Sequence, residues 1–120
     1  MLSIFIDNVG EMAVIECAGR IVQSEAIFKL RDAVKSQGDA RIIVLDLSDV
    51  PIVEGSGVGM LVFLQRWAQD RHIRLKLFNP RKAVRDRLEQ ISSLQEFDIA
   101  TLDEMVALMA TAEGHGARAA

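Results

Sequence analysis

Residues 42–45 of this 120-residue chain are four consecutive apolar residues, Ile-Ile-Val-Leu. An unbroken apolar run is typical of a strand buried on both faces of a parallel sheet, because helices cover both sides and the usual alternation disappears. Turn-forming residues follow from Asp46 to Pro51, and a helical pattern begins after them. A strand that leads through a turn into a helix is the repeating unit of α/β proteins, so we expect that fold class.

The flanking segments extend this unit into a mixed α/β domain. Residues 2–7 and 12–17 have strand patterns separated by an Asn-Val-Gly turn, which predicts an N-terminal hairpin. Helical and strand patterns then alternate to the end of the chain: a helix after Gly19, strand 41–47, helix 57–69, strand 73–78, a helix capped by Asn79 with Pro80 as its first residue, strand 97–100 and a helix after Thr101. Thr101 and Glu104 form a capping-box pattern at the start of this last helix, whose expected inner face is Leu102, Met105, Val106, Leu108 and Met109. We therefore expect a mixed sheet, with largely parallel strands after the hairpin, packed with about four helices.

The length of the chain suits one domain that buries roughly two-thirds of its unfolded surface. We expect residues 1–112 to form this domain and residues 113–120 to be a flexible tail. No apolar run approaches the roughly 20 residues that span a bilayer, and the first residues lack the basic start of a signal peptide. The sequence therefore predicts a cytoplasmic protein that does not contact a membrane.

Charge and residue usage exclude several classes of function. The net charge is −3 and the calculated pI is near 5.3, whereas nucleic-acid binding needs a clustered positive surface, so protein partners are favoured. Cys17, the single cysteine, lies in a strand pattern without a neighbouring histidine and is interpreted as a core residue. Without clustered His and Cys residues, we expect no metal, no cofactor and no enzymatic activity.

Ser56 lies between two glycines where the central helix is expected to begin. One interpretation is structural: the hydroxyl caps the helix by accepting a hydrogen bond from a free N–H group. The other is regulatory. A phosphoryl group on Ser56 would be stabilised by those N–H groups and the helix dipole, and the flanking glycines would leave the hydroxyl accessible to a kinase. The local pattern alone leaves both interpretations open.

The glycines at positions 55, 57 and 59 allow a further hypothesis, a nucleotide-binding loop. The segment lacks the Lys-Ser/Thr end of a P-loop, and its glycine spacing departs from the dinucleotide fingerprint. A small nucleotide-binding protein that uses the Gly55–Gly59 loop is therefore the weaker alternative.

The helix predicted over residues 57–69 has an apolar arc that we expect to face the sheet: Met60, Leu61, Phe63, Leu64, Trp67 and Ala68. Val58 and Val62 fall outside this arc and are expected to be exposed. An exposed apolar pair one turn from Ser56 is a candidate docking patch for a partner protein, although single exposed valines are ordinary.

Several segments together resemble the STAS domain of bacterial anti-sigma-factor antagonists, over nearly the whole chain: Leu45-Asp46-Leu47-Ser48-Asp49-Val50, then Glu54-Gly55-Ser56-Gly57-Val58-Gly59, then Leu77-Phe78-Asn79-Pro80. The resemblance implies that Ser56 is phosphorylated by a partner anti-sigma factor that is also a serine kinase, with Asp46 beside it. It implies that the unphosphorylated protein binds this partner and frees a sigma factor, and that phosphorylation breaks the complex. A phosphatase would reverse the modification.

Two residues depart from the family pattern. Glu54 stands where the family has an aspartate, and Gly55 replaces the first of two hydroxyl residues. The alternative is therefore an unphosphorylated scaffold or docking module in another regulatory or transporter-associated complex. In either case we expect the free protein to be a monomer that contacts other proteins rather than DNA.

Overall fold

The computed structural model describes residues 2–22, 25–91 and 97–119. The chain alternates strands and helices in the predicted order: β1 (Ser3–Val9), β2 (Met12–Ala18), α1 (Glu25–Lys35), β3 (Ile42–Asp49), α2 (Gly55–Asp70), β4 (Arg74–Phe78), α3 (Lys82–Ile91), β5 (Asp98–Ala100) and α4 (Leu102–Ala119). The mixed α/β fold with a five-stranded sheet is therefore confirmed.

The strands lie in the sheet in the order of the sequence, β1-β2-β3-β4-β5. β1 and β2 form the predicted antiparallel hairpin, and the remaining neighbours are parallel. Parallel neighbours require crossover connections, and α1, α2 and α3 supply them. Because β2, β3 and β4 are parallel, their carboxyl ends lie together at one edge of the sheet.

Helices pack on both faces of this sheet, which explains the unbroken apolar run of β3. One face carries Ile43 and Leu45 and forms the larger core with the buried sides of the three crossover helices: Ala26, Leu30, Val34, Leu61, Leu64, Ala68, Val84 and Leu88. The other face carries Val44, which packs in a smaller cluster with Ala112 of α4. Each residue of the run thus finds an apolar neighbour on its own side of the sheet.

The face of the sheet with the smaller apolar cluster also contains a buried cation, Lys76 of β4, which is 3% exposed. Its Nζ lies 2.7 Å from Asp98 Oδ2 of β5 and 3.5 Å from Glu104 Oε2 of α4. A buried ammonium group needs such partners because its desolvation is costly. Lys76 therefore links the last strand and the last helix to the sheet.

Two details of the third and fourth helices differ from the expectations. α3 begins at Lys82 rather than at Pro80, because Asn79 has a left-handed backbone (φ 52°) that does not cap a helix. α4 begins with the predicted capping box, in which the N–H of Glu104 donates to Thr101 Oγ1 over 3.1 Å. Leu102 and Val106, expected on its inner face, are exposed. Met105, Leu108 and Met109 pack against the smaller apolar cluster on the sheet.

The limits of the domain remain a prediction. The backbone of α4 continues to Ala119, beyond the expected boundary at residue 112, and the mobility of residues 113–120 is not tested by this observation.

Candidate functional site

Ser56 is the second residue of α2 and does not cap it. The helix follows Glu54, whose backbone is extended (φ −84°, ψ 171°) and whose side chain makes no capping hydrogen bond. The N–H of Val58 donates to the carbonyl oxygen of Glu54 over 3.0 Å. The N–H groups of Gly55, Ser56 and Gly57 precede this bond and so have no acceptor within the helix. The capping interpretation of Ser56 is therefore wrong.

The hydroxyl of Ser56 is unused by the fold. Its Oγ is buried and has no hydrogen-bond partner among the described residues, although the residue as a whole is only half-buried. A buried hydroxyl without a partner costs free energy, about 1–3 kcal/mol. The first turn of α2 contains no acidic residue. This helix terminus thus combines free N–H groups, the positive end of the dipole and an unpaired hydroxyl.

The position at which α2 begins is set by contacts with the segment that follows β2. Ile21 pairs with Val53 in an isolated parallel bridge. The N–H of Ile21 donates to Ile52 O over 3.0 Å, and the N–H of Glu54 donates to Ile21 O over 3.0 Å. Both ends of the short connection before the helix are therefore held by the backbone of residue 21.

Gly57 packs directly against this bridge. A Cβ atom at Gly57 would lie 2.8 Å from both Cγ2 and the carbonyl oxygen of Ile21 and 2.9 Å from Cγ1 of Val53. The expected Gly55–Gly59 loop is therefore absent: the three glycines lie within the first turns of α2. Since a nucleotide loop uses glycine to bring free backbone to a phosphate, the helical position of Gly59 and the packed position of Gly57 disfavour the nucleotide hypothesis.

The buried side of α2 is not the predicted arc. Val58 is 1% exposed and belongs to the core, and Val62 is partly buried against it, whereas Phe63 is 48% exposed. The expectation that Val58 and Val62 form an exposed docking pair is therefore wrong. The close approach at Gly57 turns the side of the helix that carries Gly57, Val58 and Leu61 toward the sheet, which leaves Gly59, Phe63 and Arg66 outside.

Asp46 does not contact Ser56 by a hydrogen bond. It lies on β3 two residues after Val44, so its side chain is on the α4 face of the sheet, opposite the core that α2 covers. Its Oδ1 accepts hydrogen bonds from the N–H group, over 2.9 Å, and the hydroxyl of Ser48. Asp46 therefore shapes the end of β3, and a direct role beside Ser56 remains a prediction.

Ser48 is the centre of a polar cluster that the sequence analysis missed. Asn79 Nδ2 donates to its Oγ over 3.0 Å, and Arg81 Nε donates to its carbonyl oxygen over 2.9 Å. These bonds join the carboxyl end of β3 to the connection between β4 and α3. The Asp46-x-Ser48 spacing is a signal that could have revealed part of it, because an aspartate side chain often accepts from the N–H group two residues on.

Cys17 lies in the core on β2, the strand next to the one that carries Asp46, and its thiol is a poor nucleophile. It is buried, and its Sγ makes a weak 3.9 Å hydrogen bond to Ile15 O. Burial, and secondly the charge of Asp46, raise the pKa of the Cys17 thiol from 9.0 to about 12. The thiolate, the nucleophilic form, is therefore scarce at neutral pH.

Two further observations limit the chemistry of the described residues. They contain no group of three or more His, Cys, Asp or Glu side chains placed to hold a metal ion. Within the same residues, no helix has both the length and the apolar character needed to cross a membrane.

Comparison with known proteins identifies the family. The model of the STAS domain family matches residues 6–107, and the chain therefore belongs to this family. No curated protein sequence matches the chain.

Three solved structures with similar folds are anti-sigma factor antagonists. SpoIIAA in its unphosphorylated form is 18% identical, with 91% of this chain and 97% of that chain covered and a TM-score of 0.73. The Bacillus protein SpoIIAA in its phosphorylated form is 21% identical, with 88% and 98% covered and a TM-score of 0.67. An antagonist from Mycobacterium paratuberculosis is 17% identical, with 92% and 95% covered and a TM-score of 0.77. At these identities the similarity is one of fold.

The packing of α2 predicts opposite effects for two neighbouring glycines. Gly57→Ala should lower the free energy of unfolding by about 1–3 kcal/mol, because the new methyl group meets the backbone of Ile21. Gly59→Ala is the matched control. A Cβ there meets no atom within 4 Å, so the better helix propensity of alanine should raise stability by about 0.5–1 kcal/mol. Urea denaturation measures both, and equal effects would contradict the packing.

The raised pKa of Cys17 predicts a loss of stability at alkaline pH. Above pH 9.0 the thiol ionises in the unfolded chain while the folded chain keeps its proton up to about pH 12. The unfolded state then binds fewer protons, so the free energy of unfolding falls with pH by up to about 1.4 kcal/mol per unit. Cys17→Ala should show a shallower decline above pH 9.0 in denaturation curves. Parallel declines in the two proteins would contradict the burial of a neutral thiol.

Proposed function

We propose that this protein is an anti-sigma-factor antagonist of the cytoplasm, which binds a kinase-type anti-sigma factor and is released by phosphorylation of Ser56. It acts on transcription through this protein contact and has no catalysis of its own. Family membership and the similarity of fold to three structures of antagonists, two of them of SpoIIAA, support the class. The unpaired Ser56 hydroxyl at the start of α2 is the observation that carries the switch.

The electrostatics at the start of α2 suit a phosphoserine. The N–H groups of residues 55–57 are free of helical acceptors, and the dipole favours a dianion there. Glu54 stands outside the helix and uses its side chain in no cap. The new charge would therefore find hydrogen-bond donors without breaking an existing bond of the Ser56 side chain.

Transfer of a phosphoryl group to Ser56 requires the serine side chain to move. Because its Oγ is buried, the side chain must turn outward before the oxygen can attack the γ-phosphorus of ATP held by the partner. The oxygen–phosphorus bond to ADP then breaks, and the hydroxyl proton leaves to a base. Gly55 and the open space beside Gly59 leave room for the approach of a kinase.

The partner surface in this proposal is the α2 outer face, formed by Gly59, Phe63 and Arg66. All three are exposed, and an exposed aromatic ring beside an arginine is typical of residues that contribute strongly to interfaces. By helical geometry Ser56 and Phe63 lie on the same side of α2, two turns apart. A phosphoryl dianion there would have to lose water at the interface, which weakens binding.

A permanent docking module is the second candidate. The buried Oγ of Ser56 favours it, since burial reduces access for a kinase. Gly55 also favours it, because it lacks the hydroxyl that the family pattern has beside the phosphorylated residue. In this case the α2 outer face would bind its partner without a switch.

Phosphorylation can be tested by reconstitution. The tagged chain is purified from its native cell, and a co-purifying protein with a kinase domain is then produced separately and incubated with the chain and ATP. We expect the mass of one phosphoryl group on the peptide that contains Ser56. Ser56→Ala should abolish this gain, and Ser36→Ala, a change at an exposed serine after α1, should not. A chain that stays unmodified while it binds the partner supports the docking module and overturns the switch.

Binding of the same partner tests the mode of release. Ser56→Asp should weaken the complex by at least about tenfold, while Ser56→Ala retains it, since only the former adds charge to the interface. Phe63→Ala should weaken it comparably, and Phe28→Ala, at a similarly exposed ring on α1, should not. Calorimetric titration gives the affinities, and circular dichroism checks folding. Equal affinity of the Asp and Ala variants at position 56 would contradict release by charge.

A further inference from the structure

β1 is an open edge of the sheet. Its inner side pairs with β2, and no described strand lies on its outer side. Phe5 is 66% exposed and Ile6 is 39% exposed. Long exposed edge strands are usually protected from other chains by lysine, proline, a bulge or shortness. The sequence of β1 has none of these devices: it is seven residues long, and Asp7 is its one charged residue. A lysine of α1 approaches its beginning, where Lys29 Nζ donates to the carbonyl oxygen of Leu2 over 2.9 Å, one residue before the strand.

The hairpin turn determines which groups of β1 face outward. Val9 pairs with Met12 across Gly10 and Glu11, and Gly10 has φ 59°, as in a two-residue turn of the II′ type. The residues that close such a turn exchange both backbone hydrogen bonds. Because bonded and non-bonded pairs alternate along an antiparallel ladder, Val9, Asp7 and Phe5 bond to β2. The N–H and C=O groups of Ile4, Ile6 and Asn8 therefore point away from the sheet.

In place of the monomer expected from the sequence, we propose that β1 pairs antiparallel with β1 of a second copy of this chain, across a two-fold axis at Phe5. Ile4 then lies opposite Ile6 of the second copy and exchanges backbone hydrogen bonds with it. The two Phe5 rings meet at the axis, in a non-hydrogen-bonded pair, where side chains approach most closely. The two sheets become one continuous sheet.

The sequence of β1 is complementary to itself in this register, which is why a second copy is the occupant. In a continuous sheet, residues that lie opposite each other point to the same face, and residues of one strand share a face only when they are an even number apart. A two-fold axis normal to the sheet meets both conditions only when it passes through a residue. With the axis at Phe5, Asp7 lies opposite Ser3, so the two carboxylates do not face each other. With the axis one residue later, at Ile6, the exposed ring of Phe5 would face the charge of Asp7. Over residues 3–7 the register at Phe5 thus matches apolar with apolar and polar with polar residues.

A lysine at the axis tests the pairing. Phe5→Lys places two like charges opposite each other in the dimer, whereas in the monomer the new lysine faces the exposed carboxylate of Glu16 on β2. The monomer should therefore stay folded. We expect wild-type protein to show a reversible monomer–dimer equilibrium in sedimentation equilibrium, and Phe5→Lys to raise its dissociation constant at least about tenfold.

Phe28→Lys is the matched control, because it changes an exposed ring on α1 to the same cation outside the sheet edge. It should leave the dimer unchanged. A wild-type protein that is monomeric at every accessible concentration would overturn the proposal, and so would a dimer that Phe5→Lys does not weaken while its thermal unfolding stays normal.

Disulfide crosslinking tests the register. Phe5→Cys should place two thiols across the axis, close enough for a disulfide when Cu²⁺–phenanthroline accepts their electrons. Asp7→Cys should crosslink far more slowly, because residue 7 faces residue 3 of the other copy. The native Cys17 is buried and should not compete. Faster crosslinking by the variant at position 7, or by Ile6→Cys, would overturn the two-fold axis at Phe5.

Discussion

The close contact of Gly57 with Ile21 and Val53 determines how the central helix sits on the sheet. The bridge between these two residues joins the end of β2 to the connection after β3, and only a residue without a Cβ fits above it. This contact sets the first residue of α2 and the side that it buries. It thereby sets which residues remain outside, including Phe63, and leaves Ser56 in the first turn.

The opposite face of the sheet depends on a different interaction. β5 has three residues, too few to hold the end of the domain by backbone pairing alone. Lys76 adds an ion pair to Asp98 and a second to Glu104, and both acceptors are about half exposed. The charge of the lysine is thus neutralised without burying two carboxylates completely, which limits the desolvation cost of a buried ion pair. α4 is fixed by this cation at its first turn and by the small apolar cluster around Val44 further along.

The fold could be predicted from the sequence wherever a residue pattern is compatible with only one local structure. The apolar run of β3, the hairpin and the capping box at Thr101 depend on local chemistry, and all three are confirmed. The buried side of α2 could not be predicted in this way. Hydrophobicity alone places Phe63 in the core, and it does not take into account that Gly57 allows the helix to approach Ile21 closely. The polar cluster around Ser48 was also missed, since Asn79 and Arg81 come near Ser48 only through the pairing of β3 with β4.

In the proposed mechanism the start of α2 can be modified without rearranging the fold. Val58 and Leu61 anchor the first turns of the helix in the core, and the bridge at Ile21 holds the preceding connection. A phosphoryl group on Ser56 would therefore act on the surface that the partner meets rather than on the packing beneath it. Gly55 fits this arrangement: it removes a side chain next to the site, so the serine can turn outward without displacing a neighbour.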